Sequence, residues 1–236
     1  MSTQFATTAD RLAALPVAAF AGHPSLAMAA ARGAGHEGCP VAARQVAQFG
    51  QDREIYSEGD KADTYFGVRS GVVRTCKFLA DGRRQIDAFY VAGDVFGLEA
   101  EPHYRLSAEA VSDCTLTVYR RRGLNELAAA DGALSQRLLS YAMHGMARAQ
   151  DHAQLLGRRG AVERVAAFLI EWARHFPGDS TITLAMTRQD MADYLSLTIE
   201  TVSRTLSLLE RDAIIDRPSS RQIRLRDLAA LRHLHS

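Results

Sequence analysis

The apolar pattern of this chain changes period near residue 121, and any fold must honour that change. Before it, short β-branched and aromatic runs alternate with Gly and Asp turn signals roughly every 8 to 12 residues, the mark of an all-β roll, barrel or sandwich. The runs are 54–56, 65–69, 72–78, 84–90, 95–96, 107–111 and 115–120. Gly59, Gly71, Asp81-Gly82 and Gly93-Asp94 punctuate them, and Asp81-Gly82 sits between two runs as a hairpin turn should. Residues 46–130 are therefore expected to form a compact β domain.

After residue 121 the spacing becomes helical. Leu139, Ala142, Met146, Ala149, Ala153 and Leu156 recur at intervals of three and four, a heptad seam on one face of a long helix placed at 131–158. The seam carries no charge, and its alanines let two such helices approach closely. A parallel homodimer is the natural reading, with those six residues as the interface. Leu134, Leu138 and Tyr141 supply a second stripe, which an internal helix packed on its own roll would use; both stripes are expected to be buried. A break at 157–160 leads to a further helix, 161–176, closed by Pro177-Gly178, so residues 159–236 form a new unit. Residues 1–45, rich in Ala and Gly, read as a tail or a docked helical fragment, and no function is placed there.

Within 187–211 two helices follow one another across a very short turn. Thr187 with Asp190 three residues on makes a capping-box-like start, and Met191, Ala192 and Leu195 give the first helix an apolar face. The second starts at Thr198. Val202, Leu206 and Leu209 point inward at i, i+4 and i+7, which leaves Ile199, Glu200, Ser203 and Arg204 toward solvent, where a recognition helix presents side chains to base edges. Arg204 suits guanine O6 and N7, and Glu200, one turn earlier, suits the cytosine N4 amine or orients Arg204 as an i, i+4 ion pair. Ser203 bonds either base type. Beyond this helix, Ile214-Ile215 and 222–225 flank a polar turn, the pattern of a wing. Arg217, Arg221 and Arg224 concentrate charge there, and with Thr187, Arg188, Thr198 and Thr201 they are assigned to the DNA backbone, which fixes register without reading sequence. The bland alternative is a solvated basic hairpin.

With a net charge of +1, composition argues neither for nor against nucleic acid, so any such footprint must be local. The chain has 236 residues, 47% of them hydrophobic, enough for one large core or two modest ones. Its three cysteines, Cys39, Cys76 and Cys114, lie far apart with no CxxC pair, which fits a reducing compartment. The N-terminus lacks a secretory pattern, and no run approaches the roughly 20 apolar residues of a membrane span, so a soluble cytoplasmic protein is expected.

These features resemble the CRP/FNR superfamily of transcription regulators over about residues 46–236. The residues that carry the resemblance are Gly59, Ala62, Tyr65, Val68, Gly71 and Val73, then Gly93-Asp94-Val95-Phe96-Gly97, and above all Glu200-Thr201-Val202-Ser203-Arg204. The cyclic-AMP receptor has an Arg before the Glu and a Gly before the last Arg, whereas this chain has Ile199 and Ser203, as on the FNR and FixK side. The resemblance implies an α+β protein: a jelly-roll-like β-roll of cyclic-nucleotide-binding type, a dimerisation helix and a C-terminal winged helix-turn-helix. It also implies a homodimeric regulator, in the main an activator that contacts RNA polymerase. Its sites would be inverted TTGA half-sites instead of TGTGA, about one helical turn apart. Its genes would serve microoxic or anaerobic respiration and nitrogen metabolism, nitrogen fixation included.

Cyclic-nucleotide binders of the superfamily hold the phosphate with an Arg followed directly by Ser or Thr and Ala. Here Arg105-Leu106-Ser107-Ala108 inserts one residue, which alters the faces that Arg and hydroxyl share on a strand, so nucleotide binding is not expected. Oxygen-sensing relatives hold an iron-sulfur cluster on four thiolates; three cannot make that site, and Cys76 and Cys114 read as small apolar strand residues. No cofactor or metal is expected. Of the eight His, none forms a pair with haem-ligand spacing, and His144 and His152, off the seam, read as solvated or interfacial. Some FixK-type proteins carry a redox-sensitive Cys in the DNA-binding domain, but nothing after Cys114 is Cys. Two other readings stay open: an effector-gated regulator whose roll binds a small molecule, and, remotely, a β-roll enzyme built on Glu99, Glu101 and His103, though no catalytic site is assembled and an enzyme is not expected.

Overall fold

A computed structural model describes residues 45–122, 131–158 and 160–235. The expectations for the first 44 residues, Cys39 among them, and for 123–130 lie outside the described residues. Two compact units emerge: one from the described residues up to Thr75 together with Phe89–Met143, the other from Cys76–Ala88 and from His144 onward.

Among the described residues, eight strands precede the long helix: β1 (Gln45–Phe49), β2 (Glu54–Tyr56), β3 (Thr64–Ser70), β4 (Val73–Phe78), β5 (Arg84–Tyr90), β6 (Val95–Phe96), β7 (Ser107–Ala110) and β8 (Cys114–Arg120). They form two four-stranded sheets, ordered β1-β8-β3-β6 and β2-β7-β4-β5. Cys114 and Leu116 on β8, Phe66 and Val68 on β3, and Tyr56, Val73, Ala108 and Ala110 on the second sheet bury into one core. The roll expected from the turn spacing is therefore present, and Gly82 closes its hairpin with Leu79 and Arg83 exchanging a backbone hydrogen bond of 2.8 Å. β1 was not foreseen. It pairs antiparallel with β8 from Gln45↔Val118 to Phe49↔Cys114, yet offers the core only Phe49, so no alternation marks it in the sequence.

Aromatic rings fill the middle of this roll. Tyr56 stacks on Tyr104 with centroids 3.6 Å apart, and Phe66 and Phe96 stack at 5.2 Å, with Tyr90 tilted against Phe96. Tyr104 also donates to the Thr64 carbonyl at 2.5 Å, which satisfies its hydroxyl in the interior. Cys76 and Cys114 are buried, and burial, followed by the neighbouring Asp113 charge, pushes the Cys114 thiol up to about 11.

Among the described residues, five helices and three short strands follow: α1 (Gly132–Gly157), α2 (Ala161–Ala173), β9 (Thr181–Thr183), α3 (Arg188–Leu195), α4 (Ile199–Arg211), β10 (Ile215–Asp216), β11 (Gln222–Leu225) and α5 (Leu228–His235). No described helix is long and apolar enough to cross a membrane. The second stripe of α1 is inward, as expected: Leu134, Leu138 and Tyr141 are half-buried and Leu155 is buried. His152 departs from its expected solvated or interfacial place. It is buried, stacks on Tyr194 with ring centroids 4.1 Å apart, and its Nε2 donates to the Tyr194 carbonyl at 2.8 Å. Periodicity treated His152 as polar and therefore outward, but one ring face and one hydrogen bond are enough to satisfy an imidazole inside. The wing sheet has a third strand, β9, unseen in the sequence because three residues carry no readable period; Trp172 Nε1 donates to its Thr183 carbonyl at 3.0 Å.

Two outcomes follow for this fold. At Gly71 (φ +84°) a Cβ would meet the Asp113 carbonyl oxygen at 2.3 Å, whereas at Gly82 (φ +82°) it would meet nothing within 4 Å. Gly71→Ala should therefore cost about 3 kcal/mol or more in urea unfolding, and Gly82→Ala about 1 to 2 kcal/mol from backbone strain alone; equal costs would refute the close approach. In a Cys39→Ser variant, a thiol reagent at pH 8 should label neither Cys76 nor Cys114 until denaturant is added.

Candidate nucleic-acid interface

The helix pair α3–α4 is set by its caps. Thr187 accepts from the Asp190 amide at 3.1 Å while the Asp190 carboxylate accepts from the Thr187 amide at 2.9 Å, a complete capping box. Met191, Ala192 and Leu195 are buried, as the sequence requires. Ser196, at φ +51°, ends α3 in the left-handed region and lets the chain turn at once into α4. Thr198 caps α4, its hydroxyl accepting from the Thr201 amide at 3.2 Å and lying 3.0 Å from the Thr201 hydroxyl.

On α4 the inward face is Val202, Leu206 and Leu209, joined by Thr205, which the sequence did not point to. The outward face near the N-terminus is Ile199, Glu200, Ser203 and Arg204, all exposed. Ile199, 38% exposed, is an apolar side chain left in water among these polar ones. The helix's own backbone amide, then the Thr198 hydroxyl, then the Arg204 charge hold the Glu200 carboxyl below the usual carboxylate range. Glu200 is thus an acceptor only, the form that a cytosine amine needs.

The wing arginines are less free than their sequence implies. Arg217 donates from Nε to Glu210 at 2.8 Å, pairs with it again through Nη2, and reaches Ser207. Arg224 lies 3.9 Å from Asp216, which also pairs with Arg226 at 3.2 Å. Arg221 donates to the Ala185 carbonyl at 3.1 Å, and among the described residues it alone of the three has no carboxylate within pairing distance. Ser219 Oγ accepts from the amides of Arg221 and Gln222 and shapes the wing turn. Arg188 reaches across to the Ser220 carbonyl at 3.3 Å, its Nη1 buried without a hydrogen-bond partner, and burial followed by the Arg217 charge lowers its pKa. The start of α3 and the wing are therefore tied together, with Thr187, Arg188 and Arg221 on one stretch of surface. Glu210 and Asp216 carry no obvious signal in the sequence, since i to i+7 and wing-strand pairings appear only once the wing has folded back.

Along α1 the seam residues Leu139, Ala142, Met146, Ala149 and Ala153 are exposed and Leu156 half-buried. Leu139 is 63% and Met146 51% exposed, and Met143 stands exposed beside them although the sequence seam omitted it. In the roll, Arg105 pairs with Glu99 at 3.1 Å and Ser107 Oγ accepts from the Glu58 amide at 2.9 Å, so the two residues of the altered phosphate motif take separate partners. The Glu101 carbonyl accepts from Arg121, and the His103 backbone bridges to Lys61. No group of three His, Cys, Asp or Glu poised for a metal occurs among the described residues.

Comparison with known proteins agrees with this architecture. Residues 163–234 match the Crp-like helix-turn-helix domain, and residues 46–131 the cyclic nucleotide-binding domain. The chain is similar to the nitrogen fixation regulation protein FixK of Azorhizobium caulinodans, 48% identical over 80% of this chain and 79% of that protein. It is also similar to FixK of Rhizobium meliloti, 42% identical over 81% and 87%. The solved structure of FixK2 from Bradyrhizobium japonicum superposes with a TM-score of 0.79 at 41% identity, covering 83% of this chain and 98% of that one. With a roll, a long helix and a capped helix-turn-helix in this order, the chain belongs to the CRP/FNR family of DNA-binding transcription regulators.

Proposed function

We propose that this chain is a FixK-type regulator, chiefly an activator, that binds inverted TTGA half-sites as a homodimer without a small-molecule effector. The observation that carries the reading is the outward edge of α4, where Glu200, Ser203 and Arg204 stand exposed above a fully buried apolar face. A fork of donors one turn from an ionised acceptor suits a G·C pair read from both strands. Thr187, Arg188, Thr198, Thr201 and Arg221 lie at the helix starts and the wing, where phosphates pass. Arg217 and Arg224 remain in the backbone set, with part of their charge already answered by Glu210 and Asp216. Residues 46–130, 131–158 and 159–236 serve as roll, dimerisation helix and DNA-binding domain. The uncharged seam on α1 supports a second copy as its cover, which would place two α4 helices one duplex turn apart.

The stacked rings of Tyr56, Tyr104, Phe66 and Phe96 support a roll whose interior is occupied by its own side chains, hence an effector-independent protein. FixK relatives regulate nitrogen fixation by their names; targets in microoxic respiration and nitrogen metabolism, and contact with RNA polymerase, are the matching role for this chain in the cytoplasm.

Band-shift titration without nucleotide should show tight binding to a TTGA palindrome and weaker binding to TGTGA; a requirement for an added small molecule would favour the effector-gated alternative. Arg204→Ala should lose about 1 to 3 kcal/mol on the cognate site and blur preference at the guanine, while Arg221→Ala should weaken all sequences alike and lower the salt slope by about one. Met146→Glu should give a monomer by sedimentation and abolish palindrome binding, because like charges would face each other across the seam. A variant that remains dimeric would remove the seam from the interface.

A further inference from the structure

The Cys76–Ala88 stretch, which carries the outer halves of β4 and β5, groups with the C-terminal unit, and two of its side chains bond to α3 and to the turn that follows it. Arg84, the first residue of β5, spans two carboxylates one turn apart. Its Nη2 donates to Asp190 at 2.5 Å, and its Nε and Nη2 both donate to Asp193 at 2.8 Å. Asp190 is 2% exposed and is the same residue that closes the capping box with Thr187: one oxygen serves the Thr187 amide and hydroxyl, the other faces Arg84. The second oxygen of Asp193 accepts from Gln189 at 2.6 Å. One residue further along β5, Gln85 Oε1 accepts from the Ser196 hydroxyl at 3.0 Å, and Ser196 is the left-handed residue in the turn that sets α4 off from α3. Arg164 of α2 adds a donor to the Leu195 carbonyl at 3.0 Å on that same end.

We propose that Arg84 and Gln85 are positioning residues for DNA binding, which brace α3 at both ends and so fix the pose of its capped start and of the turn into α4. The inference rests on the chain being a duplex-binding regulator. A helix-turn-helix reads bases only if α4 enters the groove at one angle, and α3 crosses the phosphates beside it. Without the brace, α3 keeps its capping box but is free to tilt, so the pose in which Thr187, Arg188 and Glu200 meet the duplex must be selected from several on binding, although the contacts made in the complex are the same. Arg84 itself is drawn into carboxylates and does not touch phosphate. Its loss should therefore weaken binding and leave the number of phosphate contacts unchanged.

The test is fluorescence anisotropy of the full chain on a labelled TTGA palindrome over a range of salt, with amide hydrogen exchange of α3 measured alongside. Arg84→Gln should raise Kd about 10-fold, a magnitude usual for coupling between distant groups, with the salt slope unchanged and α3 amides exchanging faster. Arg84→Lys should recover part of the loss. Gln85→Ala and Asp193→Asn should each weaken binding by a smaller factor, and Arg84→Gln combined with Asp193→Asn should weaken it less than the product of the single effects, since both belong to one network. If Arg84→Gln proves too unstable to assay, Gln85→Ala and Asp193→Asn carry the test. Binding within two-fold of the parent for these variants, with α3 exchange unchanged, overturns the brace. A salt slope that falls by about one in Arg84→Gln also overturns it, in favour of a direct phosphate contact. A parent chain that binds no duplex overturns the functional reading, whereas a parent that binds tightly beside indifferent variants overturns the brace alone.

Discussion

The burial of one face of α4 governs what this molecule can do. Val202, Leu206 and Leu209 are fully inside, with Thr205 beside them, and that anchoring decides which residues are left outside. Each large apolar side chain contributes roughly 1.5 to 3 kcal/mol when buried, far more than any exposed ion pair on the same helix. The helix therefore cannot rotate by a residue without placing Ser203 or Arg204 in the core. The proposed base-reading edge is what remains: Glu200, the Ser203 hydroxyl and the Arg204 guanidinium within a turn and a half. Caps at Thr187 and Thr198 hold the two helix starts, so the donors and acceptors that face a duplex are set by local chemistry and need no bound partner to form.

Much of this was legible in the sequence, and the parts that were not share a cause. The runs 54–56, 84–90 and 95–96 coincide with β2, β5 and β6, because alternation and Gly turns are local signals. Thr187 was readable as a cap, and Thr198 as the start of the second helix, for the same reason. β1 and β9 were not, since an edge strand with one core residue and a strand of three residues have no period to detect. His152 was misjudged because its stacking partner, Tyr194, lies 42 residues away in the chain. The charge state of the wing was likewise hidden: Arg217 and Arg224 read as free cations until Glu210 and Asp216 fold against them. Long-range pairings of polar side chains are what periodicity omits.

The same omission concerns Arg84. In the sequence it is an ordinary basic residue after a hairpin turn, next to Arg83, and Arg83 is indeed spent locally on Asp81 in an exposed pair. Arg84 meets a carboxylate that is almost wholly buried, and the difference between the two neighbours is the dielectric around their partners. An exposed pair of that kind is screened by salt and worth little, while a buried carboxylate deprived of its partner is strongly destabilising. Arg83 still belongs to the turn and Arg84 is the first residue of β5, so one serves the turn and the other serves α3.

A net charge of +1 is thus no obstacle to DNA binding, because attraction is concentrated where it acts. Glu210 and Asp216 offset two wing arginines, which lowers the sequence-independent pull on any duplex. In the proposed interface, what remains is Arg188, Arg204 and Arg221 beside Glu200, a carboxylate that would repel phosphate except where a base amine met it. On the proposed effector-independent reading, discrimination has to be present already in the unliganded surface. Low background affinity combined with a few directional contacts meets that need: the ratio of specific to non-specific binding rises when the backbone term is trimmed and the base-reading term is kept.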